Sequence, residues 1–214
     1  MFRNLFVLLF LVAFCSNSYD QNSWTLHTEK NGVKVFTKSI LTSKVKALKI
    51  ETILNASPSQ LVAVLLDIDR EKEWVYNTKT CVIVKKVSPS DLYYYSEVTL
   101  PWPAQNRDFI AHVMVSQNPS TKIITMDAPC VSGFVPEKPG VVRIVESVGK
   151  WIITPLAKNQ VKIEYSLAVD PAGSIPAWLV NLVASQGPLE TFRMLKIQLQ
   201  KPEYKSVKLS FIND

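Results

Sequence analysis

Strict alternation between apolar and polar residues at positions 161–170 limits the fold more than any other feature of the sequence. In this run, VKIEYSLAVD, each odd-numbered position from Val161 to Val169 is apolar. The period predicts a β-strand with one buried and one solvated face. It recurs less cleanly elsewhere, with short turns between runs, which predicts a mostly antiparallel sheet. These further runs cover residues 32–38, 46–55, 80–87, 91–100, 108–117, 122–127 and 141–154.

Two segments with helical spacing interrupt the predicted strands. The first opens at Ser57, a natural N-cap ahead of a proline at the first helical position. The second covers residues 174–201 and carries one apolar stripe, with a Gly-Pro pair at 187–188 that is expected to kink or briefly break it. Only the sheet is available to cover this stripe. The sequence therefore predicts an α+β helix-grip fold, in which a curved antiparallel sheet wraps around a long C-terminal helix and encloses a hydrophobic tunnel.

Residues 1–18 have the pattern of a signal peptide. Arg3 precedes ten consecutive apolar residues, and small polar residues follow them. This run is shorter than the roughly 20 residues that a membrane-spanning helix needs. We therefore expect a periplasmic or secreted protein, with a lipid anchor on Cys15 as the alternative. The folded domain is expected to cover residues 24–201, with a C-terminal tail at 202–214.

The distribution of charge argues against nucleic-acid binding. The chain has 24 Lys+Arg against 18 Asp+Glu, a formal net charge of +6, and the basic residues are spread along the sequence. A nucleic-acid interface would concentrate them on one face with aromatic residues for stacking. The excess is better suited to transient contact with an anionic membrane surface. A small group near the C-terminus supports this, consisting of Lys196, Lys201, Lys205 and Lys208. We expect a monomer.

The residues needed for enzymatic chemistry are scarce. The only histidines are His27 and His112, and neither belongs to a cluster with metal-ligand spacing. There is no nucleophile-elbow motif and no glycine-rich phosphate loop. The acidic residues between 67 and 73 are interpreted as a solvated turn. Cys81 and Cys130 are interpreted as separate small apolar residues, although an oxidising compartment would permit a disulfide. We expect no metal, no cofactor and no enzymatic activity.

Several short segments resemble, in their order along the chain, the START lipid-transfer domains in their short bacterial form. The resemblance covers residues 24–201. The segments are AVLLDID at 63–69 with Trp74 and Asn77 after it, YYSEVTLPWP at 94–103, NRDFI at 106–110, VPEK at 135–138 before GVVR at 140–143, TPL at 154–156, and VDP at 169–171 leading to IPAWLVN at 175–181.

The resemblance to START domains implies a tunnel that holds one lipid. It also implies a gate formed by the loop 133–140 together with the start of the last helix. One position departs from the pattern, because Val113 stands where sterol-type members have a buried arginine that pairs with the glutamate matching Glu97. The sterol-type charge pair is therefore absent as such.

A polar pair and several large side chains are the predicted ligand contacts. If the segment PWP lies at a hairpin turn, Glu97 falls opposite or nearly opposite Arg107, and both point to the same face. A buried carboxylate is costly unless it is paired, so Glu97 is expected to have a cationic or donor partner. The pair then either fixes strand register or anchors a lipid hydroxyl or head group. The predicted ligand-binding residues are Tyr95, Glu97, Arg107, Phe109, Val113, Trp151, Tyr165, Leu182, Val183 and Phe192, and the predicted gate residues are Phe134, Pro136, Trp178 and Leu179.

Two functions remain open from the sequence. The favoured one is an exported protein that binds one hydrophobic small molecule or lipid without a covalent step. The alternative is an enzyme on the related polyketide-cyclase-like scaffold, which would need a tunnel-facing acid or base with a perturbed pKa. Glu97 is the candidate for that role, although Arg107 nearby would lower its pKa and weaken it as an acid.

Overall fold

Ten strands and three α-helices make up the part of the chain that the computed structural model describes, residues 23–39, 46–157 and 159–214. The predicted signal peptide lies outside these residues. No helix in the described ranges is long and apolar enough to cross a membrane. In chain order the elements are β1 (Thr25–Lys30), β2 (Val33–Ser39), β3 (Lys46–Leu54), α1 (Pro58–Leu66), a 3₁₀ helix (Ile68–Glu73), β4 (Thr78–Ser88), β5 (Asp91–Val98), β6 (Asn106–Gln117), β7 (Ile124–Pro129), β8 (Val141–Arg143), β9 (Glu146–Leu156), β10 (Gln160–Asp170), α2 (Ala177–Gln198) and α3 (Pro202–Lys205).

The strands form one sheet in the order β1-β2-β3-β10-β9-β7-β6-β5-β4. Every neighbouring pair in this order is antiparallel, and β8 lies outside it, parallel to β6. The sheet is curved and carries α2 as its C-terminal helix. On the inner face, Phe192 of α2 packs against Trp151 of β9 with ring centroids 5.7 Å apart. The predicted helix-grip fold is confirmed.

Two strand predictions differ from the structure. The run 141–154, predicted as one strand, is divided into β8 and β9, and the amide of Ile144 between them donates to the carbonyl of Asp108 at 2.8 Å. Strand β1 was not predicted. Its residues are almost all exposed, including Leu26, because it lies at an edge of the sheet. A strand that buries so little carries no clear hydrophobic period.

Helix α1 follows its predicted start signal, whereas α2 begins at Ala177, three residues later than predicted, and has no break. Ser57 caps α1 as predicted, and its Oγ accepts a hydrogen bond from the amide of Gln60 at 3.1 Å. Helix α2 continues through Pro188. The backbone amide of Tyr76 donates to Thr191 Oγ1 at 3.0 Å, and a Cβ on Gly187 would lie only 3.5 Å from the Tyr76 ring. Packing on this turn thus holds the helix together where proline alone would disrupt it.

Residues 202–214, predicted as a tail, belong to the folded domain. Tyr204 of α3 is buried, and its hydroxyl donates to Asp67 Oδ2 at 2.7 Å. Asp214 Oδ1 accepts a hydrogen bond from the amide of Ser59 at 2.7 Å. Since α1 has no acidic residue in its first turn, Asp214 supplies the negative charge that favours a helix N-terminus.

Side-chain size on the inner face changes along the strands. At one end the inward positions hold large aliphatic residues that pack against the second half of α2 and against α1; they include Ile50, Ile124, Ile153 and Ile163. Farther along the same face the inward positions become small, with Ser96, Ala111, Ala128, Cys130, Ser147 and Gly149. The sheet and the first half of α2 are thereby left with space between them.

Candidate functional site

An apolar cavity of about 550 Å³ lies between the inner face of the sheet and the start of α2. Its volume is within the range of about 300–1,000 Å³ that small-molecule sites occupy. The small residues Ala111, Ala128 and Gly149 leave the space open. Larger apolar side chains complete the wall, among them Val98, Phe109, Leu167, Val169 and Leu179. The arrangement can hold one hydrophobic molecule.

The structure places three of the ten predicted ligand contacts at this cavity. Arg107, Phe109 and Tyr165 line it, and so does the predicted gate residue Leu179. Three others point to the same face but belong to the core that closes one end, namely Val113, Trp151 and Phe192. The Trp151 and Tyr165 rings pack with centroids 4.4 Å apart, so this core is continuous with the cavity wall. The side chains of Leu182 and Val183 lie outside the described part of the chain.

The prediction that Tyr95 and Glu97 face the cavity is wrong. Glu97 pairs with Asp108 across the sheet, whereas Arg107 pairs with Val98. Because neighbouring side chains point to opposite faces, this difference of one residue in register places Glu97 and Arg107 on opposite sides of the sheet. The residues of β5 that line the cavity are instead Tyr94, Ser96 and Val98.

Glu97 is the centre of a polar cluster on the outer face. Its carboxylate accepts hydrogen bonds from Lys79 Nζ at 2.8 Å, Asn106 Nδ2 at 3.0 Å and Lys138 Nζ at 3.4 Å. The hydrogen bond from Lys79, followed by that from Asn106, lowers the pKa of Glu97 to about 2. The expected cationic partner is therefore present, but it is supplied by lysines and not by Arg107.

The loop 133–140 also lies against the outer face. Phe134 stacks on Tyr93 with ring centroids 4.5 Å apart, and Arg143 donates to the carbonyl of Pro136 at 3.2 Å. Within the described residues, none from this loop lines the cavity. Placing Phe134 and Pro136 at the cavity entrance was therefore wrong, because their packing partners face away from it. Trp178, the remaining predicted gate residue, is half exposed beside Leu179.

Arg107 joins two segments next to the start of α2. It is buried, and its guanidinium donates to the carbonyls of Pro171 at 3.0 Å, Ala172 at 3.2 Å and Gln105 at 2.5 Å. These contacts link the connection between β5 and β6 to the segment that leads into α2. Carbonyl dipoles thus stabilise this buried cation, which also lines the cavity.

Sequence reasoning missed Glu71, which was interpreted as part of a solvated turn. Its neighbours Arg70 and Glu73 do point outward, and Glu73 pairs with Lys201 at 2.5 Å. Glu71 instead lines the cavity together with Val75. The signal was present in the sequence, because apolar residues lie three positions before and four positions after Glu71, a spacing that places all of them on one face.

Burial dominates the electrostatics of Glu71. Glu71 lines the cavity, and burial of its carboxyl raises its pKa to about 8. A hydrogen bond with Tyr94 partly opposes the increase. Tyr94 and Tyr165 both have raised pKa values, first because they are buried and second because Glu71 is near. The cavity therefore holds one carboxyl group that ionises reluctantly, close to two tyrosines.

Cys130 and Cys81 are separate free thiols, as expected. Cys130 lines the cavity, and burial raises its pKa, so it behaves as a small apolar wall residue. No group of three or more histidine, cysteine or acidic residues could hold a metal ion in the ranges that the structure describes.

Comparison with known proteins identifies the family. A model of the START domain matches residues 15–205. The chain belongs to the START domain family. This START domain is 28% identical to the phosphatidylcholine transfer protein of Mus musculus over 77% of this chain and 78% of that protein. It is also 28% identical to an uncharacterized protein of Pseudomonas aeruginosa over 83% of this chain and 87% of that protein.

A solved structure agrees with the same family. The crystal structure of a STAR-related lipid transfer protein fragment from Xanthomonas axonopodis superimposes with a TM-score of 0.76 at 28% identity. The match covers 83% of this chain and 99% of that fragment. The fold of the present START domain is therefore shared across nearly the whole of that fragment.

Glu71→Gln should change how the stability of this START domain depends on pH. Folding favours the protonated carboxyl, so its stabilising effect is complete below the ordinary pKa of 4.5 and is lost as pH rises through about 8. The wild type should therefore lose on the order of a few kcal/mol between about pH 5 and about pH 8.5, and E71Q should not show this loss. Urea unfolding at both pH values measures it, with E73Q as the control. An equal loss in wild type and E71Q would contradict the assignment.

Glu97→Gln should weaken the fold without changing the cavity. Removing the charge from the outer cluster is expected to cost about 1–3 kcal/mol of unfolding free energy. Binding of a neutral, long-chain fluorescent probe should stay unchanged, because Glu97 faces away from the cavity. Chemical denaturation and probe titration measure the two effects separately. Loss of probe binding in fully folded E97Q would show that this residue acts on the ligand.

Proposed function

We propose that this START domain binds one lipid or other hydrophobic small molecule in the cavity, noncovalently, and transfers it between membranes. The observation that carries the proposal is the apolar cavity of about 550 Å³ at the start of α2. Each methylene group moved there from water contributes about 0.8 kcal/mol. The name of the mouse relative, a phosphatidylcholine transfer protein, supports the same class of ligand.

The segment between β10 and α2 is the proposed gate. Ala172 and Gly173 both have positive φ, at 53° and 62°, so the chain bends sharply there. Arg107 holds the carbonyls on one side of this bend, and Leu179 on the other side closes over the cavity. Ligand exchange would require these contacts to open. The loop 133–140 was the other expected part of the gate, but its contacts on the outer face favour the segment before α2 alone.

Membrane contact is proposed at the same end of the molecule. Trp102 is 89% exposed and lies in the connection between β5 and β6. Trp178 is 52% exposed and lies in the first turn of α2, directly after the segment that Arg107 holds. The lysines near the C-terminus lie at the far end of α2, and Lys201 is engaged by Glu73. The tryptophans are therefore better placed than these lysines to meet a membrane. Export through the N-terminal segment 1–18 remains part of the proposal.

One observation favours a second use of the cavity. Glu71 supplies the cavity-facing group with a perturbed pKa that a polyketide-cyclase-like enzyme would need. Extraction of the molecule bound to protein purified from its own organism separates the two functions. A lipid that is recovered unchanged after incubation supports binding, whereas conversion by the wild type but not by E71Q supports catalysis.

Ala111→Phe should fill the cavity. Its side chain would enter the space between β6 and α2, where extra volume pressed against a ligand costs about 1–3 kcal/mol. Affinity for a C18 lipid probe is expected to fall about tenfold or more. Ser116→Phe is the matched control, since Ser116 lies exposed on the outer face of the same strand. Native mass spectrometry measures bound lipid, and equal occupancy in both variants would contradict the assignment of the cavity.

Trp102→Ala combined with Trp178→Ala should weaken membrane contact but not lipid binding. Loss of two exposed indoles is expected to lower association with vesicles of phosphatidylcholine and phosphatidylglycerol about tenfold or more. Transfer of a fluorescent lipid between such vesicles should slow in parallel. Ile197→Ala, an exposed apolar residue at the other end of α2, is the control. Vesicle co-sedimentation measures association. An effect of equal size in the control would contradict the proposal that the two tryptophans make the membrane contact.

A further inference from the structure

Unpaired polar atoms are concentrated on one wall of the cavity. In the described part of the chain, three buried side-chain atoms have no hydrogen-bond partner, and all lie between residues 71 and 78. They are Glu71 Oε2, Trp74 Nε1 and Thr78 Oγ1. Two of the three residues, Glu71 and Thr78, line the cavity. Buried polar groups are nearly always paired in folded proteins, so such a cluster points to a function.

Two tyrosines lie close to the same wall. Tyr94 lies close enough to Glu71 to lower the pKa of its carboxyl, and the charge of Glu71 also acts on Tyr165. Gly149 has no side chain, and a Cβ added to it would lie 3.7 Å from the Tyr165 hydroxyl. The Tyr165 hydroxyl therefore lies next to the backbone of the sheet at Gly149. Because the terminal torsion of a glutamate is broad, either carboxyl oxygen of Glu71 can turn toward a molecule in the cavity.

The other charged residue of the cavity, Arg107, is distant from Tyr94 but is level with Thr78, since both Thr78 and Arg107 pair with Val98. Tyr94 pairs with Ala111 and Val98 pairs with Arg107, so four residues of strand, about 13 Å, separate the two positions. Arg107 already donates to three carbonyls. Glu71 has no comparable set of partners. The hydrogen-bonding groups that are still available to the polar group of a ligand therefore lie beside Glu71.

We propose that Glu71, with Thr78, Tyr94 and Tyr165, binds the polar end of the ligand, and that this end is a hydroxyl or an amine that donates a hydrogen bond and carries no negative charge. The inference rests on the proposed lipid-binding function. A carboxylate accepts hydrogen bonds from either group and is stabilised further by a cation. An anionic end would instead place its own charge in an apolar site and would prevent Glu71 from ionising, because two like charges there are strongly unfavourable.

A competition among probes with one common chain tests this. Full-length protein is equilibrated with equal amounts of octadecanol, octadecylamine, octadecanoate and methyl octadecanoate in neutral detergent, and the bound probes are extracted and counted by mass spectrometry. In the wild type, the alcohol and amine together should exceed both the carboxylate and the ester by about tenfold or more. The ratio of amine to alcohol then identifies which donor the site prefers.

Substitutions test whether Glu71 and Thr78 cause this preference for the alcohol and amine probes. Glu71→Gln should reduce the excess of donor probes over octadecanoate about tenfold, and Thr78→Val, which removes one hydroxyl at nearly constant volume, should reduce it less. Glu73→Gln, two residues away and outside the cavity, should leave it unchanged. The same excess in E71Q and the wild type, or enrichment of the carboxylate or ester in the wild type, overturns the inference while lipid binding stands. Binding of none of the four probes overturns the proposed function as well.

Discussion

The register between β5 and β6 is the constraint on which the rest of the structure depends. It turns Ser96 and Arg107 toward the cavity and turns Glu97 and Asp108 toward the outer face. Outside, Arg143 binds Asp108 through two hydrogen bonds of 2.7 and 2.9 Å, in the bidentate geometry that suits a buried carboxylate. A slip of one residue would bring the carboxylate of the shifted strand, Glu97 or Asp108, into the apolar interior. The outer charges therefore keep the inner face available for a hydrophobic ligand.

Alternation and helical spacing predicted the architecture, but they did not predict for every strand which residues face inward. The strand at 161–170 and the cap at Ser57 are local signals, and both are confirmed. The relation between Glu97 and Arg107 depends on the path of the chain through residues 99–105, which no periodicity describes. The loop 133–140 likewise has no period, and its position is set by stacking on Tyr93 and by hydrogen bonds from Arg143. Contacts of this kind are long-range and cannot be obtained from spacing alone.

Glu71 shows a different limit. An acidic residue among other charged residues is normally solvated, and Arg70 and Glu73 follow that rule. A short 3₁₀ helix places Glu71 on the inner side of the same turn, so its surroundings differ completely from those of its neighbours. The charged residues around Glu71 therefore led to its interpretation as solvated, although it is the residue that most distinguishes this cavity from a purely apolar one. The apolar residues at helical spacing around it were a better guide than its own chemistry.

The inward residues change from large to small along each strand, so one end of the sheet packs the core and the other end lines the cavity. The filled end, with its isoleucines and the second half of α2, provides most of the apolar burial that holds the domain together. At the hollow end, residues such as Ala111 and Gly149 line the cavity. Substitutions there can reshape the space without opening a void in the core. Descendants of such a chain can consequently acquire new ligands while keeping the same folded framework.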